Sequence, residues 1–290
     1  MAVEGAPPIP LRRGQAGSRT AACTSHAREV LAVRRRSGRD LRDDQGEGCS
    51  RSCARLGDLQ ERLYAEGKRS LLLVLQGTDT SGKDGTVSHV IRAMNPQGCR
   101  ITSFKQPTAE ERRHAFLWRI RRALPPPRYV GVFNRSHYED VGIVRVHDLV
   151  PQRVWRARYE QINNFERQLA RRGTTIVKVF LHISFKEQTR RLLARLDDPT
   201  KRWKFDSKDV EERDYWDAYV AAYEEAIARC STNVAPWYVV PADNKWYRNW
   251  AVGRLLIETL EAMGPEYPQP KLAIKKLKAQ IKSQHPAARA

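Results

Sequence analysis

A glycine-rich loop between an apolar run and an amphipathic segment constrains this chain more than any other feature. It reads Gly77-Thr78-Asp79-Thr80-Ser81-Gly82-Lys83-Asp84-Gly85-Thr86 and fits the GxxxxGK pattern. Ahead of it, Leu71-Leu72-Leu73-Val74-Leu75 is an unbroken aliphatic run, the mark of a strand buried on both faces. The residues after it, 83–95, have helical spacing. Glycines let the backbone curl so that successive N–H groups and a helix N-terminus point at one anion. Gly77, Gly82, Gly85 and Thr86 are the expected phosphate cradle, and Lys83 adds a point charge to the same anion. Asp79 would repel a phosphate unless a divalent cation lay between them, so the loop implies phosphate handled together with Mg²⁺. Where Ser or Thr usually follows the lysine to hold the metal, Asp84 stands instead, so either that duty has moved to Asp79 or the match to the pattern is accidental; a strand before and a helix after favour the first. Taken alone, the plainer alternative for Asp79 is a turn carboxylate capping its own loop.

From Leu56 onward, strand-like and helix-like segments alternate. Leu56, Leu59 and Leu63 recur at helical spacing and Gly67 ends that helix. Strands are expected at 71–76, 100–104, 129–133, 175–182 and 237–240, and helices at 83–95, 109–124, 151–172, 186–196, 209–230 and 245–263. Such alternation implies an α/β fold with a parallel sheet covered on both faces and ligands at the carboxyl ends of the strands. The glycine loop, Phe104-Lys105 and Asn134-Arg135 each follow a strand, so they converge on that edge.

Three further segments bear on the chemistry. Phe133-Asn134-Arg135-Ser136-His137-Tyr138-Glu139-Asp140 ends a strand in an arginine followed by two carboxylates. In phosphoryl transfer an arginine stabilises charge on the moving group and carboxylates orient Mg²⁺. The plainer alternative is a polar turn capped by Asn134 and Ser136. His137 reads as a hydrogen-bonding or packing residue rather than a general base. Residues 190–209 carry basic side chains on both sides of Pro199, including Arg195 and Lys204, where a mobile lid would exclude water; a solvated charged hairpin is the alternative. Residues 110–122 set Phe116, Leu117 and Ile120 against Arg112, Arg113, Arg119, Arg121 and Arg122, either a basic wall for a long anion or a solvated face. Beyond the strand at 237–240, Asp243 or Asn244 reads as a helix N-cap.

Composition narrows the partners. The formal charge is +19 over 290 residues, and the excess remains when both ends are set aside: residues 1–55 hold eleven Lys/Arg against six Asp/Glu, and residues 264–290 six against one. The core is therefore expected to meet an anion, while the tails could touch nucleic acid nonspecifically. Residues 1–53 lack apolar periodicity and are expected to be disordered, without the apolar stretch of a signal peptide. The tail from Gly264 reads as a loose or helical appendage. The five cysteines form no CxxC pair, which fits a reducing compartment, and no segment approaches the ~20 apolar residues of a membrane span. A cytoplasmic protein without membrane contact is the expectation.

Together these motifs resemble the polyphosphate kinase 2 family, which transfers phosphoryl groups between inorganic polyphosphate and nucleotides. The resemblance runs from Leu56 to Met263. It rests on the GxDxxGKxGT loop at 77–86, Asn95-Pro96, Phe104-Lys105 and the segment 133–140. Gln161-Ile162-Asn163-Asn164-Phe165-Glu166, Trp203-Lys204-Phe205 and Ala235-Pro236-Trp237-Tyr238 extend it. It implies a P-loop kinase-like, three-layer fold over residues 54–263, with a helical lid at about 190–215. It also implies Mg²⁺ as cofactor, polyphosphate and AMP, ADP or GDP as partners, and transfer in either direction. The FNRSHYED variant resembles a subgroup, class III, linked to AMP as well as ADP. By the same resemblance Asp79, Lys83 and Arg135 are catalytic, Lys105, Arg195 and Lys204 bind phosphate, and Asp79, Glu139 and Asp140 hold metal. Three departures stand out. Many members have Asp where Asn134 stands, which leaves the metal to Asp79 with Glu139 or Asp140. Asp206-Ser207 replaces a common Ser-Pro. Residues 1–53 are unlike the ordered lead-in helices of the family. A homo-oligomer is also expected. The rival readings are an ATP-dependent nucleotide kinase on the same scaffold and a basic nucleic-acid-binding protein, although no nucleic-acid-reading motif is present.

Overall fold

The computed structural model describes residues 49–283. In chain order its elements begin with α1 (Cys49–Glu66), β1 (Ser70–Gln76), α2 (Lys83–Arg92), β2 (Cys99–Ser103), α3 (Trp118–Ala123) and β3 (Val130–Asn134). There follow α4 (Ile143–Val146), α5 (Gln152–Arg171), β4 (Thr174–His182), α6 (Phe185–Asp197), α7 (Lys208–Glu211) and α8 (Trp216–Cys230). β5 (Trp237–Pro241), α9 (Lys245–Met263) and α10 (Ile274–Ser283) complete them.

All five strands pair in parallel, in the order β2-β3-β1-β4-β5. β1 lies at the centre and every one of its residues is buried, which is why its sequence is aliphatic without alternation. The pleat still divides those residues between two cores. Leu71, Leu73 and Leu75 pack with Leu59 and Leu63 of α1, Val87 and Val90 of α2, and Leu256 and Leu260 of α9. Leu72 and Val74 pack with Trp155, Ile162 and Phe165 of α5 and with Tyr223 of α8. Helices thus cover both faces of a parallel sheet, and the carboxyl ends of its strands form one edge.

Three expectations are corrected. The helix expected at 109–124 is only six residues long at α3, preceded by a single 3-10 turn at Glu111–Arg113. Thr108 and Glu111 close that turn reciprocally, Glu111 N donating to Thr108 Oγ1 (3.2 Å) and Thr108 N to Glu111 Oε2 (2.9 Å), and the backbone is extended at His114. The basic face is also not wholly outward: Arg119 is buried, donates to Lys105 O at 2.8 Å and lies over the Phe104 ring. The helix expected at 209–230 is divided into α7, a 3-10 turn at Glu212–Tyr215, and α8. Only α8 buries residues (Ala222, Tyr223, Ala226 and Cys230), so only it has a core to straighten against. Finally, α1 begins at Cys49, inside the segment 1–53 expected to be disordered; that expectation for residues 1–48 lies outside the described residues. The tail carries the exposed helix α10, and no helix among the described residues is long and apolar enough to cross a membrane.

Candidate active site

The glycine loop occupies the turn from β1 to α2, at the centre of the carboxyl edge. Its carbonyls are held by donors behind it. Lys83 Nζ donates to Gly77 O (2.8 Å) and Thr78 O (3.1 Å). Gln188 Nε2 reaches Asp79 O (3.4 Å), Arg191 Nη1 reaches Thr80 O (2.9 Å) and Arg248 Nη1 reaches Ser81 O (3.4 Å). Thr86 donates to Gly82 O from its backbone N (3.0 Å) and its hydroxyl (3.1 Å). With six successive carbonyls so engaged, the backbone groups left to meet an anion are N–H groups other than that of Ser81, which donates to Thr78 O. Those of Lys83, Asp84 and Gly85 lie in the first turn of α2, ahead of its first intrahelical bond. Gly77 has φ +151° and Gly82 φ +98°, left-handed backbone that suits glycine. Thr80 adopts φ +61° without being glycine, a strain of about 1–3 kcal/mol that the buried Arg191 contact offsets.

A second left-handed residue faces the loop. Arg135, at the end of β3, has φ +64°, and its N–H donates to Leu75 O at 3.0 Å. This turn aims the guanidinium back at Asp79, where Nη2 donates to Oδ1 at 3.0 Å. Burial works against that charge, but Glu139 and Asp79 outweigh it and raise the arginine's pKa. Lys83 moves the other way: its burial lowers the ammonium pKa, opposed by Asp79. Burial pushes the Glu139 carboxyl up against the pull of Arg135 and Lys83. Gln76 holds this carboxyl, its amide nitrogen donating to Oε1 at 2.9 Å while its oxygen accepts from Ser136 Oγ at 3.0 Å. The result is a compact set of two cations and two carboxylates: Lys83, Arg135, Asp79 and Glu139.

The remaining expected residues are distributed differently. Asp140 does not join this set; it accepts from Arg158 Nη1 at 3.2 Å, with Arg119 and His137 also beside it. Among the described residues, no three His, Cys, Asp or Glu side chains gather into a metal site. Asn134 donates to Asp84 Oδ1 at 2.6 Å, so the residue after Lys83 is tied to the strand end. Ser136 does cap the turn at His137–Asp140, its Oγ accepting from Tyr138 N, so the plain reading and the functional one coexist. Asn244 is the N-cap of α9. Lys105 is exposed at the end of β2. Arg195 lies 3.6 Å from Asp209 of α7, whose pKa is raised by burial and then by the nearby charge of Asp79; this carries the segment after α6 to the loop. Lys204 is exposed, its ammonium 5.0 Å from the centroid of the largely exposed Trp203.

Some contributors escaped the sequence reading. Gln188, Arg191 and Arg248 brace the loop from α6 and α9, more than 100 residues away in sequence. A buried network lies behind Arg135. Lys178 Nζ donates to Glu166 Oε2 (2.5 Å), Tyr138 Oη (2.8 Å) and Cys230 O (2.7 Å), while Glu166 Oε1 meets His137 Nε2 (3.2 Å) and accepts from Tyr138 (2.9 Å). His137 is thus a packing and hydrogen-bonding residue. The one signal for this network was Lys178 inside an otherwise apolar strand, since a cation there requires a buried partner.

A loop that presents N–H groups to an anion, next to paired cations and carboxylates, suits phosphate chemistry, and comparison with known proteins gives the family. The family model for Polyphosphate kinase 2 (PPK2) matches residues 40–268. The chain belongs to the polyphosphate kinase 2 family. Among its polyphosphate kinase 2 relatives, the AMP/ADP-polyphosphate phosphotransferase of Meiothermus ruber is 54% identical over 223 residues, covering 77% of this chain and 84% of that protein. The ADP-polyphosphate phosphotransferase of Rhodopseudomonas palustris is 46% identical over 242 residues, covering 79% and 84%. The crystal structure of Polyphosphate Kinase 2 from Arthrobacter aurescens TC1 superposes with a TM-score of 0.80 at 48% identity, covering 81% of this chain and 85% of that one. The three-layer, P-loop kinase-like architecture with its parallel sheet is therefore the family's own.

Proposed function

We propose that this polyphosphate kinase 2 transfers phosphoryl groups between inorganic polyphosphate and AMP, ADP or GDP. The observation that carries the reading is the meeting of Asp79, Lys83, Arg135 and Glu139 at a loop whose carbonyls from Gly77 to Gly82 are all engaged. The loop N–H groups and Lys83 bind the donor phosphates. Arg135 is placed to meet charge that grows on the moving phosphoryl, which is positioning and electrostatics rather than covalent chemistry. The attacking atom is an oxygen of the nucleotide's terminal phosphate; as its bond to phosphorus forms, the bridging P–O bond of the donor breaks and the polymer leaves one unit shorter. An ionised phosphate needs no strong general base, which agrees with a His137 committed to Glu166.

Mg²⁺ fits the donor set. Asp79 and Glu139 are hard oxygen donors, and a cation of this kind takes one or two carboxylates together with substrate phosphates and water rather than a cage of protein ligands. Bound there, it would neutralise charge between these carboxylates and the phosphates. Arg195 and the exposed Lys204 belong to a lid that meets the polyphosphate chain. A homo-oligomer in the cytoplasm completes the reading.

The deciding assay mixes the protein with polyphosphate, Mg²⁺ and AMP, ADP or GDP in turn. Mass spectrometry should find the nucleotide one phosphate heavier. If none is converted, and a triphosphate nucleotide with Mg²⁺ likewise yields no polyphosphate, the proposal fails.

A further inference from the structure

Three side chains brace consecutive carbonyls of the phosphate loop, and they are not alike. Gln188 holds Asp79 O with a neutral amide. Arg191 holds Thr80 O, but its charge is balanced by Glu187, which accepts from Nε at 2.8 Å. Arg248 holds Ser81 O weakly, at 3.4 Å, and its other bonds go to the neutral Asn249 Oδ1, from Nη2 at 2.8 Å and Nε at 3.1 Å. Among the described residues no carboxylate forms an ion pair with it, although it is only 4% exposed. Gln188 shows that a carbonyl at this distance can be held without charge. The charge at position 248 therefore does something other than hold the loop.

Its placement sharpens the point. A Cβ on Gly82 would stand 1.7 Å from Arg248 Nη1, and one on Gly85 would stand 3.1 Å from Nη2. The two glycines of the loop's second half thus make room for a guanidinium flat against the first turn of α2. A cation at a helix N-terminus meets the positive end of the dipole, an unfavourable arrangement in the absence of an anion. The other titratable groups facing it, Arg191 and the imidazole of His89, add none of the missing negative charge; burial and then Arg191 bring the Arg248 pKa down to about 10, and burial and then Arg248 lower that of His89. Asp84 stands in the same first turn of α2, but among the described residues no carboxylate pairs with Arg248, and such departures from local rules are expected at functional sites.

We infer that Arg248 is a positioning residue for the donor: from behind the loop, through Gly82 and Gly85 and without touching the ligand, it supplies positive potential that is balanced only when a polyphosphate occupies the N–H groups on the other side. The inference rests on the polyphosphate reading and adds to it a residue outside the loop, on α9.

Calorimetric titration with tripolyphosphate and Mg²⁺, set beside apo melting curves, tests it. Arg248→Met keeps the aliphatic stem and removes the charge; Arg248→Lys keeps the charge and loses the fork. Arg248→Met should bind tripolyphosphate at least 10-fold more weakly and raise KM for polyphosphate more than it lowers kcat, and its apo melting temperature should match or exceed the parent's. Arg248→Lys should recover most of the lost affinity. Tripolyphosphate affinity within twofold of the parent in Arg248→Met would make the residue a strut and overturn the inference, as would equal losses in Arg248→Lys and Arg248→Met. A parent that binds no tripolyphosphate, while Lys83→Ala behaves identically, would sink the polyphosphate reading and this inference with it.

Discussion

At the residue scale, the two carboxylates that end the Tyr138-Glu139-Asp140 run have separate surroundings. Glu139 sits in the field of Lys83, Arg135 and Asp79, whereas Asp140 is bonded to Arg158. Asp79→Asn and Glu139→Gln should therefore each lower kcat by about 100-fold or more, as removal of a charge at the transferring group does. Asp140→Asn should leave kcat within about fivefold and act instead on stability, which thermal melts beside steady-state rates will separate. Equal kinetic losses in all three variants would return Asp140 to the site. Lys83→Ala should likewise reduce kcat at least ~100-fold, but its melting temperature should also fall, because the ammonium is buried and braces Gly77 and Thr78. A solvent-facing loop lysine would have shown only the kinetic effect. The identity of these residues was legible in the sequence from the loop pattern and the strand-end arginine. Which of Glu139 and Asp140 faces Asp79 was not, because it depends on the left-handed turn at Arg135 and the 3-10 turn after it.

At the element scale, α6 opens with Ser184 accepting from Glu187 N at 3.2 Å, and Glu187 in turn binds Arg190 and Arg191. The hydrogen bonds from Arg190, with that from Arg191, outweigh burial and hold the Glu187 carboxyl down at about 2. A depressed carboxyl contributes stability in full above its unfolded value near 4.5 and loses it as pH falls toward about 2. Glu187→Gln should therefore unfold at lower urea than the parent at pH 7, by about 1–2 kcal/mol once solvent screening of the exposed Arg190 is allowed for, and the gap should narrow by pH 3.5. A gap that is constant or wider at pH 3.5 would show that the carboxylate is not the source. The lid after α6 makes its own prediction: replacing Arg195 and Lys204 together by Ala should slow transfer and increase release of free phosphate, because an unsealed site admits water. Unchanged transfer and unchanged phosphate release would leave that segment a charged hairpin.

At the scale of the whole molecule, the charge of +19 invites nonspecific binding to any polyanion, and salt separates this from the chemistry of the site. Raising salt from about 50 to 200 mM should weaken binding to duplex DNA by about 100-fold or more, since that affinity is counterion release. Polyphosphate-dependent kcat should change less than about threefold, because Lys83 is buried and Arg135 is held in place by Asp79; parallel salt dependence of the two would point to one shared, exposed surface.

The strands, their order of appearance and the long helices α5 and α9 were readable from periodicity, because each buries a face whose spacing is local. The same was true of the phosphate loop, whose glycines answer to backbone geometry within a few residues. What only the tertiary structure decided lies across long separations. Phe116 and Ile120 announced a helix more than twice the length of α3, because apolar spacing does not show where a core ends. Gln188 and Arg248 looked like ordinary helix residues and Arg191 like part of the basic segment 190–209, yet packing sets all three against a loop formed by residues 77–82. Local physics determines which segments are strands, helices and anion loops; only the stacking of α6 and α9 around β1 determines which distant charges that loop will feel.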